Sequence, residues 1–197
     1  MAVQIESGAG GDSPPKQPSH SAYLTLHLGE EDFAIATERV RVIMRLPEFT
    51  PYAGEPSFVR GVMDIRDRTV PILDLRMKLG LPPAVLGSRS AIVVADLAAR
   101  HGLLALRVGL LVDRVSQVFR VPGPIEPVPD TAPAWLLGTS RVKRRLKKII
   151  DLDEMITQQD LESVGWALAR REASSPATQS APEMPLQSPA SQPGKEQ

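Results

Sequence analysis

The sequence predicts a mainly β protein built from small barrels or a sandwich. Short aliphatic runs separated by turn residues recur along the chain. Aromatic residues make up only 4% of the sequence, so the core must be built from Val, Leu and Ile. Two strand-rich stretches of similar length, about 21–88 and 89–152, indicate two barrels in tandem. The long helical candidate is a C-terminal helix over 153–172.

Composition narrows the class of protein. The 197 residues carry 23 basic and 23 acidic side chains and no cysteine. The charge balance gives no global field that would attract nucleic acid or anionic lipid. The lack of cysteine excludes disulfides and thiolate metal sites and favours a reducing compartment. With no apolar run near the roughly 20 residues that span a bilayer, and no signal peptide, we expect a cytoplasmic protein without membrane insertion.

Residues 23–37 are predicted to form a β-hairpin. Residues 23–28 alternate in character and place three leucines on one face. His27 lies on the other face, which we interpret as solvent-facing. A turn rich in acidic residues leads to a second arm over 33–37, and 40–44 continues extended before two prolines force a loop. Residues 1–20 and 173–197 are rich in Gly, Ser, Pro, Ala or Gln and are predicted to be disordered.

Residues 61–80 (GVMDIRDRTVPILDLRMKLG) are the most informative part of the chain. Their pattern predicts a strand, a tight charged turn at Arg66-Asp67-Arg68, a second strand, and a short helix over 75–79. Nothing in this segment is typical of catalysis. Further strands are predicted over 91–95, 103–112, 115–121, 135–139 and 146–152, with a proline-rich loop before the last pair.

No arrangement of residues points to catalysis. The histidines, His20, His27 and His101, are not spaced like metal ligands. The glycines of 7–11 lack the Lys-Ser/Thr that follows in a phosphate loop, and no Gly-x-Ser-x-Gly elbow is present. We therefore predict no catalytic residue, no metal site and no cofactor.

The charge-dense run Arg141–Lys148 (RVKRRLKK) allows three interpretations. It could be a nucleic-acid patch, a hairpin turn with solvated arms, or a contact for the acidic surface of a protein partner. Nucleic-acid barrels usually add exposed aromatic side chains for base stacking, and none is interleaved here. The solvated hairpin is favoured, and a small-barrel nucleic-acid-binding protein stays an alternative.

Several segments together resemble the CheW family, the adaptors that couple chemoreceptors to the histidine kinase CheA. The resemblance runs from about Tyr23 to Ile156. Its strongest residues are Arg60-Gly61-Val62, Ile65-Arg66 and Val70-Pro71-Ile72-Leu73-Asp74-Leu75-Arg76, with further matches at Val40, Ile43, Val108-Gly109-Leu110-Leu111-Val112-Asp113-Arg114-Val115 and Ile149-Ile150-Asp151-Leu152.

The resemblance implies two SH3-like five-stranded β-barrels packed around a shared apolar interface, with no enzymatic activity. One barrel would dock on the matching domain of a CheA-type histidine kinase. A groove between the barrels would take the cytoplasmic tip of a methyl-accepting chemoreceptor. No nucleic-acid partner is implied. The partner-binding residues expected on this basis are Val40, Val42, Ile43, Asp64, Arg66 and Asp67.

Two departures from the family pattern affect these residues. The corner that is usually Asn-Leu-Arg-Gly reads Asp64-Ile65-Arg66-Asp67, and Val42 stands where the family usually has an acidic residue. We hypothesise that Asp67 or Asp64 replaces that acidic partner of Arg66, so that the protein serves its own receptor and kinase. An adaptor that has lost receptor binding is a further alternative. The basic run Arg141–Lys148 is a third departure.

Overall fold

The computed structural model describes residues 22–165 apart from positions 53, 55, 67, 84, 85, 99–105 and 158. The predicted N- and C-terminal segments, and His20 and His101, lie outside these residues. The strands are β1 (Ala22–Leu28), β2 (Glu31–Ala36), β3 (Val40–Arg45), β4 (Thr50–Pro51), β5 (Val59–Ile65), β6 (Arg68–Asp74), β7 (Ala91–Leu97), β8 (Leu106–Val112), β9 (Arg114–Arg120), β10 (Leu136–Val142) and β11 (Arg145–Ile150). The helices are α1 (Leu75–Lys78), α2 (Leu152–Met155) and α3 (159–165), with a 3-10 turn over Thr37–Arg39.

The described strands form two sheets. A five-stranded sheet has the order β10-β11-β2-β1-β9, and a six-stranded sheet has the order β3-β7-β8-β6-β5-β4, in which β4 is only two residues long. The mainly β fold with two strand-rich units and few helices is thus confirmed. β4 lies inside the stretch that was predicted to be a proline loop.

The predicted boundary between the two units, near residue 88, is wrong. The five-stranded sheet takes its strands from both ends of the chain, because β1 pairs with β9 and β2 pairs in parallel with β11. The six-stranded sheet is the uninterrupted stretch β3–β8 between them. Similar lengths of two strand-rich stretches cannot reveal this nesting, since strand pairing across the sequence leaves no local periodic signal.

A core shared by the two sheets holds them together. Leu24 and Leu26 of β1 pack in one cluster with Val93 of β7 and Leu110 of β8, and each is at most 2% exposed. Burying such an aliphatic side chain contributes about 2 kcal/mol. The predicted leucine face of β1 therefore points into this shared core. Its buried members are Leu24, Leu26, Leu28, Phe33, Ile35, Val59, Leu73, Leu75, Ala91, Val93, Ala95, Leu97, Val108, Leu110, Val112, Ile150, Leu152, Met155, Ile156 and Val164.

The prediction that His27 faces solvent is wrong. Its side of β1 also carries Tyr23 and Thr25, which are 2% and 0% exposed, and His27 itself is 9% exposed. Tyr23 packs with Phe119 and Ile149 in a second cluster on that side of the five-stranded sheet. β1 lies between β2 and β9 and is covered on both faces, so alternation in its sequence does not separate inside from outside.

The predicted hairpin over 61–74 is confirmed by the pairing of β5 with β6. Asp64 stands opposite Thr69, and Ile65 stands opposite Arg68. α1 follows directly, because the Asp74 side chain caps it by accepting a hydrogen bond of 3.0 Å from the backbone N–H of Arg76.

The helix predicted over 153–172 is interrupted. α2 ends at Met155, because the backbone of the following Ile156 is extended, and a new helix begins after Thr157. The Asp160 carboxylate accepts from the Thr157 backbone N–H at 2.7 Å, and the Thr157 hydroxyl accepts from the Asp160 N–H at 3.3 Å. This reciprocal cap starts a separate helix. Residues 166–172 of the predicted helix lie outside the described residues.

Candidate partner-binding surfaces

β3 forms one edge of the six-stranded sheet. Val42 pairs with Val94 of β7, and Ile43 pairs with Val93. Their side chains are 40% and 47% exposed, whereas Val40 is partly buried against the shared core. Two exposed aliphatic side chains on a sheet edge make β3 a candidate contact site for another protein.

A charged clamp fixes β3 to the sheet. The Nε atom of Arg41 lies 2.6 Å from Oδ2 of Asp96, and Nε of Arg107 lies 2.8 Å from Oδ1. The hydrogen bond from Arg107 is the main cause that holds the pKa of Asp96 below its ordinary value; Arg41 adds to it, and burial opposes it. The carboxylate is therefore ionised at neutral pH, and the edge that carries Val42 and Ile43 is fixed in position.

The corner between β5 and β6 carries the second set of predicted residues. Arg66 is exposed and has a φ of 44°, in the left-handed region that non-glycine residues rarely adopt. Asp64 is exposed and accepts a hydrogen bond of 2.9 Å from the Thr69 hydroxyl across the hairpin. A groove of about 290 Å³ beside Asp64 is lined in part by Phe49 and Met63. The corner thus presents a cation beside a partly apolar groove.

The edge strand and the corner border the same apolar cluster. Three strands separate β3 from β5 in the sheet order. Even so, Met44 of β3 and Ile65 of the corner both pack against the cluster of Met63, Val70, Ile72, Ile92, Val94 and Leu111. Asp67, one of the two carboxylates expected to replace the usual acidic partner of Arg66, lies outside the described residues. Replacement of the usual acidic residue by Asp67 therefore stays a prediction.

A buried polar cluster in the five-stranded sheet was missed by the sequence reasoning. The Asp32 carboxylate lies 2.7 Å from Nδ1 of His27 and 3.0 Å from Nζ of Lys147, and it also accepts from Arg145. On the other side of the ring, His27 Nε2 lies 2.8 Å from the Ser116 hydroxyl. Two signals were present. His27 and Asp32 flank the predicted turn, which makes them cross-strand neighbours, and Lys147 is in phase with the apolar Ile149.

Burial and neighbouring charges together set the protonation states of His27 and Asp32. Desolvation is the main cause that lowers the pKa of His27 below 6.5; the Asp32 charge opposes it. Burial alone would raise the pKa of Asp32, but the hydrogen bond and charge of Lys147 outweigh it, with help from His27 and Arg145, so that pKa is lowered. At neutral pH the cluster holds a neutral His27 imidazole beside an ionised Asp32 carboxylate.

The run Arg141–Lys148 forms the β10–β11 hairpin. Three of its six basic side chains already contact carboxylates, because Arg145 and Lys147 share Asp32 and Lys148 lies 2.6 Å from Glu31. No exposed aromatic side chain stands between them. Nothing in this arrangement supports the alternative of a nucleic-acid-binding protein.

The part of the chain that the structure describes contains neither a group of metal ligands nor a helix able to span a membrane. Within 22–165, outside the gaps named above, no group of three or more His, Asp or Glu side chains could hold a metal ion. None of the helices in those ranges has the length and apolarity that crossing a bilayer requires. A β scaffold with an exposed apolar sheet edge and a charged corner is typical of the class of proteins that bind other proteins.

Comparison with known proteins identifies the family. The model of the CheW-like domain matches residues 22–160. The chemotaxis protein CheW of Rhizobium meliloti is 29% identical over 145 residues, which is 71% of this chain and 90% of that protein. CheW of Klebsiella aerogenes is 26% identical over 147 residues, covering 72% and 85%. The chain belongs to the CheW-like family and is a divergent adaptor protein rather than an enzyme.

A solved structure shows the same fold. The scaffolding protein TtCheW of Thermoanaerobacter tengcongensis superposes with a TM-score of 0.62 at 21% identity, over 72% of this chain and 95% of that protein. The nested arrangement of two sheets described above therefore belongs to the CheW fold.

Proposed function

We propose that this adaptor couples a methyl-accepting chemoreceptor to a CheA-type histidine kinase in a cytoplasmic chemosensory array. The observation that carries the proposal is the sheet edge β3, on which Val42 and Ile43 are 40% and 47% exposed. The clamp of Arg41 and Arg107 on Asp96 holds this edge in a defined shape, as a specific docking site requires. Membership of the CheW-like family supports the same role.

The two candidate surfaces suit two different partners. The β3 edge offers unpaired backbone groups and apolar side chains, which fit the edge of a β domain such as the matching domain of the kinase. The corner at Arg66, with the groove beside Asp64, fits the polar tip of a receptor hairpin. Holding both partners at once raises their effective concentration and shifts the kinase between its conformations.

The kinase contact is tested with the purified adaptor-binding domain of a kinase from the same genome. Ile43→Lys places a charge in the centre of the proposed apolar contact, and we expect affinity to fall by about tenfold or more in calorimetry. Val118→Lys on β9 is the matched control, because Val118 is 56% exposed on the other sheet. Equal losses in both variants would show that β3 is not the kinase site.

The receptor contact is tested by sedimentation of the kinase with receptor-bearing membranes. Wild-type adaptor should carry the kinase into the pellet. Arg66→Glu should reduce this transfer while kinase binding stays unchanged, and Arg89→Glu, an exposed arginine in the loop before β7, should leave both intact. A wild-type protein that binds neither kinase nor receptor would overturn the proposed function.

A further inference from the structure

The cations of the β10–β11 hairpin fall into two sets. The inward set is paired with an acidic side chain, as Lys147 and Arg145 both bind Asp32. The outward set is Arg141, Lys143 and Arg144, which are exposed and have no acidic partner among the residues that the structure describes. A protein with equal numbers of acidic and basic residues thus gathers three unneutralised cations at one tip.

One cation of the outward set lies beside an exposed aliphatic side chain. Arg141 stands directly opposite Leu146 in the hairpin, so the two side chains share one face of it, here called the outer face. Leu146 is 44% exposed. By contrast Val142, opposite Arg145, lies on the inner face and packs against the cluster around Tyr23. The outer face and tip, here called the basic tip, consist of Arg141, Lys143, Arg144 and Leu146.

The turn of the basic tip has an unfavourable sequence for its conformation. Lys143 and Arg144 have φ angles of 48° and 68°. Two successive left-handed residues form the two-residue hairpin turn that strongly favours Asn-Gly. Both positions hold long cationic residues instead. Backbone strain retained at an exposed position, where a less strained residue would fit, is a reason to look for a function of the side chain.

The inward set makes the basic tip rigid. Asp32 is buried, and it binds side chains from two positions of β11. On the face that carries Leu146, the Lys148 ammonium also lies 2.6 Å from Glu31 of β2. These contacts fix the arm that carries Leu146 to the rest of the sheet. A rigid display of charge loses less conformational entropy on binding than a mobile loop does.

We propose that the basic tip is an additional contact site for an acidic protein surface on one of the adaptor's partners, with an apolar side chain of that partner packed on Leu146. The proposal rests on the proposed adaptor function. A protein fits better than nucleic acid, because the basic tip has no aromatic side chain for stacking. It also fits better than a membrane, which requires a larger apolar face than one leucine.

The triple variant Arg141→Glu/Lys143→Glu/Arg144→Glu tests the site against the kinase domain and the receptor fragment separately. We expect affinity for one of the two to fall by about tenfold or more and affinity for the other to stay unchanged. Wild-type binding to that partner should weaken between about 0.01 and about 0.15 M salt, where the screening length falls from about 30 to about 8 Å. The variant should lose most of this salt dependence. Two single reversals provide a charge-matched comparison. Arg144→Glu in the basic tip should lower the affinity for that partner, whereas Arg89→Glu, in the loop before β7, should leave it unchanged.

A second variant separates binding from folding. Lys143→Asn/Arg144→Gly removes two charges but supplies the residues that this turn favours, so its thermal unfolding midpoint should rise. Its affinity for the same partner should nevertheless fall. If the turn had only a structural role, a more stable variant would bind at least as tightly as wild type. Higher stability together with weaker binding therefore indicates that the two cations contact the partner.

Three outcomes overturn the inference. The first is that wild-type adaptor binds kinase and receptor while both hairpin variants bind as tightly as wild type. The second is a loss of affinity confined to a single-stranded oligonucleotide or to vesicles containing phosphatidylserine, which would assign the basic tip to nucleic acid or lipid. The third is an equal loss for Arg89→Glu, which would indicate unspecific charge attraction. If wild-type adaptor binds neither partner, the proposed function fails before the inference is reached.

Discussion

The Lys147 ammonium lies 3.0 Å from the Asp32 carboxylate, and the two side chains are 3% and 2% exposed. Lys147 also lies over the ring of Phe119, 5.6 Å from its centroid, so its charge is enclosed between a carboxylate and an aromatic face. A cation this deeply buried depends on its acidic partner, because removing one member of a buried pair leaves the other without solvation.

Removing the Asp32 charge should therefore destabilise the fold. We expect Asp32→Asn to lower the free energy of unfolding by about 3 kcal/mol, measured by urea denaturation. Glu31→Gln is the control. Glu31 pairs with Lys148 at the surface, where such a pair is worth less than about 1 kcal/mol. A double variant Asp32→Leu/Lys147→Met should recover most of the loss, because it removes both charges together.

His27 should make stability depend on pH. Its pKa in the folded protein is below its ordinary value of 6.5, so the unfolded chain takes up a proton first as pH falls. Stability is then fully present above about pH 6.5 and decreases as pH falls from there toward the folded-state pKa. Asp32 also has a lowered pKa, and its contribution is lost only below its ordinary value of 3.8.

The urea midpoint should accordingly be lower at pH 5.5 than at pH 7.5 in the wild type. His27→Gln should remove much of this difference, since glutamine does not titrate, although its loss of the Asp32 contact lowers stability at both values. Lys147 and Arg114 both oppose protonation of His27. A wild-type midpoint that rises on acidification would contradict the assignment.

Gly61 holds the two-residue strand β4 against β5. A Cβ atom at this position would overlap the backbone carbonyl of Thr50 and the ring of Phe49. Gly61→Ala should therefore force β4 outward and lower the free energy of unfolding by about 1–3 kcal/mol. Gly87→Ala is the matched control, because nothing lies within 4 Å of its Cβ position, and its effect should stay within about 0.5 kcal/mol.

Thr157 should control where the last described helix begins. Thr157→Val removes the hydroxyl that caps the helix and should reduce stability by about 1 kcal/mol, whereas Thr157→Ser keeps the cap. Asp160 also lies 2.5 Å from Nζ of Lys78, which ties this helix to α1. Protection of the helix amides in hydrogen exchange measures the effect, and equal protection in the two variants would rule out the capping role.

The partner specificity of the corner can be tested by restoring the usual pattern of the family. The double variant Val42→Glu/Asp67→Gly supplies an acidic residue on β3 and a glycine after Arg66. We expect it to bind a standard CheA and receptor tip several-fold more tightly than the parent does, as one favourable charge contact allows. Equal affinities of parent and variant would show that these two positions do not set specificity.

Local elements of the fold were predictable from sequence. The alternation in β1 and the turn residues after it gave the first hairpin, and the charged break after Ile65 gave the second. α1 was also predicted, since apolar residues resume there at helical spacing after Asp74. These signals are contained in a few neighbouring residues, where backbone preference and periodicity act.

The remaining features depend on contacts between distant parts of the chain. The parallel pairing of Lys148 with Phe33 unites the two ends of the chain in one sheet, and no local pattern reports it. The same pairing covers the second face of β1 and so turns His27 inward. Lys147 is buried because Asp32 on another strand binds it, and the sequence around a lysine does not show whether such a partner exists. The interruption at Ile156 was readable as Thr157-x-x-Asp160, but Asp is a less usual third residue of that cap.

The nesting of one sheet inside the other assigns the candidate surfaces to two different parts of the chain, which share one core. The β3 edge and the corner at Arg66 both belong to the continuous inner stretch, whereas the basic tip belongs to the outer strands. Only two chain crossings, near Thr37 and Asp113, join these parts. Exchanging the inner stretch between relatives, together with the core residues that pack on it, would therefore replace both candidate surfaces at once. The basic tip would stay with the outer strands of the recipient protein.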